Sequence, residues 1–216
     1  MADEVVLNFQ DSLLRKSDVK LLDEGQWLND TIIGFMFEYF EYILFNKLEN
    51  VLFVNPDVAQ YIKLCKGAEL AIFLEPLNLH CKDRIFIPVN SNVNPEATGG
   101  THWSLLVYDA HQKKFQHYDS CVPSNHSHAC QMSKSVEPFL RVKQNVNFVE
   151  ETCPQQENFS DCGVYVIYIA EVLCKRLQDK VSSEHILQNE VNAESVRRKR
   201  TEIKKIIKEL RETHPC

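Results

Sequence analysis

Two apolar segments joined by a short polar turn constrain the fold of this chain most strongly. Residues 102–108 (HWSLLVY) and 115–118 (FQHY) are rich in β-branched and aromatic side chains, and the DAHQKK between them is polar. Segments of this kind pair as an antiparallel β-hairpin when so few residues separate them. A similar segment, residues 85–90 (IFIPVN), precedes them, so the sequence predicts the centre of a β-sheet.

Helical patterns stand on both sides of these strands. Asn29-Asp30 precedes the apolar run TIIGFMFEYFEYILF, which predicts a buried helix from about 31 to 46. Asn55-Pro56 opens a shorter helix, because proline is favoured at the first helical position. The order of helices, then strands, then helices is typical of an α+β fold. The remaining predicted elements are helices over 129–141, 163–177 and 194–211 and a strand over 143–149.

Composition and charge narrow the class of protein. The 216 residues are 44% hydrophobic and contain no repeat or flexible linker, so we expect residues 1–216 to form a single catalytic or binding domain. The net charge of −6 disfavours a dedicated nucleic-acid-binding protein, which usually carries a basic surplus. No segment approaches the roughly 18 apolar residues of a membrane span. We therefore expect neither nucleic acid nor membrane among its partners.

The cysteines and the start of the chain bear on its compartment. Eight cysteines are spread without the dense spacing of a disulfide framework, and MADEVVLNFQ lacks the features of a signal peptide. We therefore expect reduced thiols and a cytoplasmic or nuclear location. The N-x-S/T sequons at Asn29, Asn125 and Asn158 point the other way, toward secretion.

A cluster of potential metal ligands lies in the segment CVPSNHSHAC. Cys121, His126, His128 and Cys130 are close in sequence, but they lack the paired CxxC knuckles of common zinc sites. We therefore predict an ordinary polar loop and no metal.

The basic run VRRKRTEIKK (196–205) has three interpretations. It resembles a nuclear import signal or a nucleic-acid-binding patch. However, its apolar residues recur at helical spacing, which predicts an amphipathic helix whose charges cover the solvent-facing side. These apolar residues are Val196, Ile203, Ile207 and Leu210.

Cys162 lies where a polar loop meets the apolar helix predicted from Gly163. A cysteine often only fills a core, but a helix N-terminus favours a thiolate. Such a nucleophile needs a base, a group that orients the base, and an oxyanion donor. His102 begins one strand of the hairpin and Asp119 ends the other, so pairing brings both to one sheet edge. The side-chain amide of Gln156 can serve the oxyanion beside the backbone N–H of Cys162.

The order of these residues resembles that of the ubiquitin-like protein proteases, which include the SUMO proteases and the deneddylases. Thr101-His102-Trp103, Tyr118-Asp119-Ser120 and Gln156 to Gly163 match the family's His-Trp, Asp and Gln-x5-Cys-Gly. The resemblance runs from about Asp11 to Leu177. It implies a papain-like cysteine protease fold, with a central mixed sheet flanked by helices. It also implies catalysis by His102, Asp119, Gln156 and Cys162 without a metal or organic cofactor.

The resemblance also implies a substrate. These enzymes cut after the C-terminal Gly-Gly of a ubiquitin-like modifier, and the stretches FLEPL and NDTIIGFMFEYF are most similar to the deneddylases. The implied partners are the neddylation modifier and its lysine-linked conjugates, such as cullins. Trp27 and Trp103 fall on motifs that flank the slot for the modifier's tail. Asp30 would read the tail near its entrance or, alternatively, cap a helix.

Other functions remain open from the sequence alone. The chain can be a SUMO-specific protease, a non-catalytic module that only binds the modifier, or an acyltransferase that uses the same cysteine and histidine. The loop SNVNPEATGGT, residues 91–101, lies between the first two predicted strands. It is polar, contains paired glycines and ends beside His102, so we predict that it is mobile and closes over the modifier's tail.

Overall fold

The computed structural model describes residues 3–94, 99–180 and 186–213. The strands in chain order are β1 (Val5–Phe9), β2 (Ser12–Arg15), β3 (Val51–Phe53), β4 (Arg84–Asn90), β5 (Trp103–Asp109), β6 (Lys114–Tyr118) and β7 (Asn147–Glu150). The helices are α1 (Lys16–Lys20), α2 (Asp30–Tyr39), α3 (Pro56–Leu64), α4 (Gly67–Leu74), α5 (His126–Val136), α6 (Cys162–Asp179), α7 (Ile186–Glu190) and α8 (Ala193–Thr213). A π-helical turn over Phe40–Leu44 prolongs α2.

The chain divides into two compact units. One unit combines residues 1–46 with residues 154–216, and the other is the continuous segment 47–153. Cys162 therefore belongs to the first unit, whereas His102 and Asp119 belong to the second.

The unit formed by residues 47–153 contains a five-stranded mixed sheet whose strands lie in chain order, β3-β4-β5-β6-β7. The central pairs are antiparallel, and the outer pairs β3/β4 and β6/β7 are parallel. The predicted hairpin is confirmed, with Leu105 opposite Tyr118. Ile85 and Leu106 on the sheet pack into one apolar core with Ile62 of α3 and Met132 of α5. The sheet and its helices confirm the predicted α+β class.

Some element boundaries differ from the prediction. The helix predicted over 129–141 begins earlier, at His126, and its last turn over Glu137–Leu140 is a 3-10 helix. Pro138 lies in that turn and lacks the N–H that an α-helical bond would need. The strand predicted over 143–149 is only β7. The hairpin β1-β2 and the elements α1, β3, α4 and α7 were not predicted.

The other unit is organised around α6. Helices α2 and α8 pack against α6, and the β1-β2 hairpin contacts both α2 and α8. Gly163, the second residue of α6, permits this packing, because a Cβ there would lie 2.9 Å from Cβ of Leu28. Only glycine lets the start of this helix come so close to the segment that follows Trp27.

Helix α8 carries the basic run that the sequence analysis assigned to an amphipathic helix. The helix is present and its apolar stripe is buried as predicted. However, Lys199 and Arg200 are buried with it, at 3% and 4% exposure. The prediction that the charges of this run cover the solvent-facing side is wrong for these two residues.

No helix in the described part of the chain combines the length and the apolar character that crossing a membrane requires.

Candidate active site

His102 and Asp119 lie at one edge of the sheet, because His102 immediately precedes β5 and Asp119 immediately follows β6. Nε2 of His102 is 2.5 Å from Oδ1 of Asp119, and both side chains are buried. The structure thus brings together the base and the orienting group that the hairpin predicted. The hydrogen-bonded pair lies within the compact unit formed by residues 47–153.

The environment of Asp119 favours its ionised form. Burial alone would raise the pKa of this carboxyl group, but the hydrogen bond from His102 and the backbone N–H groups of Asn125 and Cys121 outweigh it and hold the pKa below 3.8. The backbone donors lie 3.0 and 2.9 Å from the carboxylate oxygens. Because an ionised carboxylate only accepts hydrogen bonds, Nε2 of His102 carries a hydrogen. Nδ1 is therefore the ring nitrogen of His102 that can accept a proton.

Asn125 is hydrogen-bonded to Asp119 of this pair. From the sequence, Asn125 was noted only as a possible N-glycosylation site and was not identified as part of the site. Its side chain is fully buried and donates to the carbonyl oxygen of Val89 at 3.0 Å and to Oγ of Ser104 at 3.1 Å. Its backbone N–H donates to Asp119. These bonds join the ends of β4 and β5 to the carboxylate of Asp119. Because the Asn125 side chain is fully buried, it cannot carry a glycan in the folded protein.

Cys153 is a thiol in the same compact unit as His102 and Asp119. Cys153 is buried, and burial, together with the charges of Asp119 and Glu150, raises its pKa to about 12. Cys153 therefore stays protonated near neutral pH and cannot act as a thiolate nucleophile.

Cys162 is the first residue of α6, an 18-residue helix, and is 3% exposed. Asp161 precedes it in the N-cap position, but its side chain makes no capping hydrogen bond. The positive end of the helix dipole thus lies beside the thiol and is not covered by that carboxylate.

The loop before Cys162 is organised by Asn158. Its Oδ1 accepts from the backbone N–H groups of Ser160 and Asp161, both at 3.0 Å, and its Nδ2 donates to Oδ2 of Asp161 at 2.7 Å. Nε2 of Gln156 donates to the carbonyl oxygen of Asn158 at 2.6 Å. The Gln156 amide, predicted as the oxyanion donor, is therefore held in a defined orientation within this loop.

The three residues assigned to substrate binding differ in exposure. Trp27 is 47% exposed, whereas Trp103 is buried at the start of β5. Asp30 is exposed and is the first residue of α2. The N-cap is Asn29, whose Oδ1 accepts from the backbone N–H of Ile32 at 3.1 Å. Asp30 is therefore not the N-cap residue, but Oδ1 of its exposed carboxylate accepts from the backbone N–H of Thr31, in the first turn of α2, at 2.9 Å.

Residues 95–98 of the loop before His102 lie outside the described part of the chain, so the predicted closure of this loop stays a prediction. The stem of the loop is ordered, because Oγ of Ser91 accepts from the backbone N–H groups of Thr101 and His102 at 2.8 and 3.2 Å. Gly100 has a φ of +93°, and a Cβ there would lie 1.9 Å from Oδ1 of Asn90. Any larger residue at position 100 would therefore clash with Asn90 in the stem.

The cysteine and histidine cluster of residues 121–130 is not the polar loop that was predicted. Its second half forms the start of α5, and Nδ1 of His126 lies 2.6 Å from Oε1 of Glu150. Across residues 3–94, 99–180 and 186–213, no three His, Cys, Asp or Glu side chains are grouped to hold a metal ion.

A cysteine that opens a helix and a hydrogen-bonded histidine–aspartate pair are the functional groups of a papain-like cysteine peptidase. Residues 26–212 match the Ulp1 protease family, C-terminal catalytic domain. The chain therefore belongs to the Ulp1 protease family and is a cysteine-type peptidase.

Individual relatives agree with this assignment. The chain is 51% identical to Sentrin-specific protease 8 of Mus musculus over 178 residues, which cover 81% of this chain and 80% of that protein. It is 38% identical to NEDD8-specific protease 1 of Arabidopsis thaliana over 176 residues, covering 80% and 76%. The solved C-terminal Ulp1 protease domain in complex with Smt3, the yeast ortholog of SUMO, has a TM-score of 0.75 at 22% identity, covering 97% of this chain and 89% of that one. The last comparison establishes the shared fold.

Proposed function

We propose that this peptidase cleaves after the C-terminal Gly-Gly of NEDD8, both in the modifier's precursor and in lysine-linked conjugates such as cullins. The observation that carries the choice of modifier is the similarity over most of the chain to a plant protease named for NEDD8. The hydrogen-bonded His102 and Asp119 and the helix-opening Cys162 support the chemistry.

In the proposed reaction His102 takes the thiol proton of Cys162 at Nδ1, and the thiolate sulfur attacks the carbonyl carbon of the terminal glycine. His102 then gives that proton to the lysine amine as the C–N bond breaks, which leaves a thioester. Water attacks the thioester while His102 accepts one of its protons, and His102 returns that proton to the sulfur of Cys162 as the C–S bond breaks. The modifier leaves as a carboxylic acid that loses its proton to solvent. Asp119 keeps His102 in the tautomer that this sequence of transfers needs.

The reaction requires groups from both units, since Cys162 belongs to one and His102 to the other. We therefore propose that residues 1–216 act as one catalytic domain. Because a thiol nucleophile must stay reduced, we also place the enzyme in the cytoplasm or nucleus.

We assign Trp27, Asp30 and Trp103 to the binding of the modifier's tail. The half-exposed indole of Trp27 and the exposed carboxylate of Asp30 are available to a ligand. Trp103 follows His102 directly, so a backbone bound beside this indole would also be close to the base. A flat indole packed against the tail would favour glycine over residues with larger side chains.

Gln156→Ala tests the oxyanion donor. We expect kcat to fall roughly a hundredfold to a thousandfold, because one preorganised donor to the developing negative charge is lost. The modifier's affinity should change little. Steady-state cleavage of a fluorogenic NEDD8 substrate measures both quantities, and Gln155→Ala, on the exposed neighbouring residue, is the matched control. A loss of affinity with unchanged kcat would instead make Gln156 a binding residue.

The proposed function as a whole is tested with modifiers that carry a C-terminal electrophile. We expect the NEDD8 probe to form a covalent adduct with the wild-type protein faster than the SUMO or ubiquitin probes, and to form none with Cys162→Ala. Faster capture of the SUMO or ubiquitin probe would contradict the choice of modifier. Tight binding of NEDD8 without an adduct would show a binding module and not an enzyme.

A further inference from the structure

Arg200 is a buried cation within the apolar stripe of α8. It follows Val196 by four residues and precedes Ile203 by three, and it is 4% exposed. Removing a guanidinium from water is unfavourable unless its donors find acceptors and its charge finds a partner. The bonds that Arg200 makes therefore show what the residue holds in place.

The guanidinium of Arg200 is fully engaged. Nε and Nη2 donate to the same oxygen of Asp161, Oδ1, at 2.9 and 2.7 Å. Nη1 and Nη2 also donate to backbone carbonyl oxygens in two segments of the chain. These oxygens, at distances of 2.8, 3.3, 2.8 and 3.1 Å, belong to Leu21, Asp23, Gln26 and Ser160.

The two segments that Arg200 joins both lead into the proposed site. One ends at Gln26, directly before the half-exposed Trp27, and the other ends at Asp161, directly before Cys162. Arg200 belongs to the same compact unit as both segments. A single side chain thus fixes the backbone beside the thiol and the backbone beside a proposed substrate-binding indole.

The carboxylate of Asp161 is turned away from the helix that it precedes. Oδ1 accepts from Arg200 and Oδ2 accepts from Asn158, so neither oxygen caps α6. An aspartate in the N-cap position ordinarily accepts from the second or third N–H of the helix. In that position its negative charge would lie beside Cys162 and disfavour the thiolate.

We propose that Arg200 is a positioning residue that keeps Cys162 reactive. It neutralises the Asp161 carboxylate, withdraws it from the start of α6 and fixes the segment before Trp27. The proposal rests on the proposed function of Cys162 as the nucleophile. Arg200 touches neither substrate nor reacting atoms, so its effect reaches the reaction through Asp161 and the two backbone segments.

Lys199 offers a matched control on the same helix. It is buried to the same degree, and its Nζ donates to Oε2 of Glu171 at 2.8 Å. Glu171 lies nine residues along α6 from Cys162, roughly 14 Å at the rise of an α-helix. Lys199→Met therefore removes a comparable buried cation far from the nucleophile.

The experiment compares Arg200→Met, Arg200→Lys and Lys199→Met with the wild type in the full chain, below the unfolding temperature of each. The capture rate with the NEDD8 electrophile is divided by the final adduct yield, which counts only competent molecules. We expect both Arg200 variants to react about tenfold more slowly or worse, because misplacing a reacting group costs up to about a hundredfold. The capture rate of Lys199→Met should stay within about twofold of the wild-type rate, because this substitution does not move the reacting groups. Arg200→Lys keeps the positive charge beside Asp161, but an ammonium cannot reach all these acceptors together.

Equal capture rates per competent molecule for Arg200→Met and the wild type would overturn the proposal. Equal slowing by Lys199→Met would overturn it too, because the effect would then be general destabilisation. Iodoacetamide alkylation of Cys162, followed by mass spectrometry, needs no modifier and should show the same order of rates. If the wild type were not captured by NEDD8, the proposed function would fail, and the alkylation rates would still decide whether Arg200 positions the thiol.

Discussion

Cys162→Ser is expected to fold, bind NEDD8 and lose peptidase activity by about ten-thousandfold or more, the scale seen when a catalytic nucleophile is removed. The serine hydroxyl has the right shape for the site but is far less acidic than a thiol at a helix N-terminus. His102 would have to remove its proton during the attack itself. Single-turnover cleavage of a NEDD8 fusion measures the loss, and calorimetric titration with mature NEDD8 shows whether binding survives.

Cys174 provides the control for this substitution. It lies in the same helix as Cys162 and is completely buried. Cys174→Ala should lower the free energy of unfolding by about 1 kcal/mol through lost packing, while kcat stays near the wild-type value. Near-normal turnover by Cys162→Ser would remove Cys162 from its proposed role.

Asp119→Asn is expected to reduce kcat roughly a thousandfold to ten-thousandfold, the range known for amide substitution of the orienting acid in such triads. The carboxylate accepts from His102 and from the backbone N–H groups of Cys121 and Asn125. An amide presents one oxygen and one NH2 group, so it cannot accept from all these donors. His102 would then rotate or change tautomer, and Nδ1 would no longer be the atom that exchanges a proton.

Asp109→Asn is the matched control, since Asp109 is also a buried acid of this hairpin. It pairs with Arg84 at 2.5 Å, at the end of β5 remote from His102. We expect Asp109→Asn to lower the unfolding temperature without changing kcat per active site, counted by electrophile capture. A similar fall in kcat for both variants would mean that the hairpin, and not the orientation of His102, had been damaged.

Asp119→Asn should also change how the free energy of unfolding depends on pH. Folding lowers the pKa of Asp119 below its ordinary value of 3.8, so the ionised form stabilises the folded state. That contribution to the free energy of unfolding is fully present above the ordinary pKa and is lost as the pH falls through the lower folded value. Asparagine does not titrate. The stability difference between wild type and Asp119→Asn, measured by urea unfolding, should therefore narrow on acidification.

The parts of the site that follow from local pairing were predictable from the sequence. A short turn sets the register of the β5-β6 hairpin, and the register places His102 and Asp119 at one edge. The position of Cys162 at a helix start was predictable because a polar loop changes there into an apolar run. The exposure of Trp27 and Asp30 depends on the packing around them and came only from the structure.

The supporting contacts depend on residues far apart in the sequence. Arg200 is separated from Asp161 by 39 positions and from Gln26 by 174, and no periodicity links them. One signal was present, since Arg200 occupies a position of the apolar stripe between Val196 and Ile203. An arginine that is fully buried at such a position is almost always paired. For Asn125 the sequence holds no comparable signal.

The division of the chain into two units affects the moment at which the enzyme becomes active during synthesis. Residues 47–153 form a continuous unit that leaves the ribosome before α6 and α8 do, and nascent chains fold from the N-terminus onward. Residues 1–46 must wait for those helices, and the segment before Trp27 gains its anchor only when Arg200 emerges. A translation product that stops short of α8 would carry the histidine–aspartate pair and the thiol but not the side chain that we propose keeps the thiol reactive. Full proteolytic activity would thus appear only after α8 has been made.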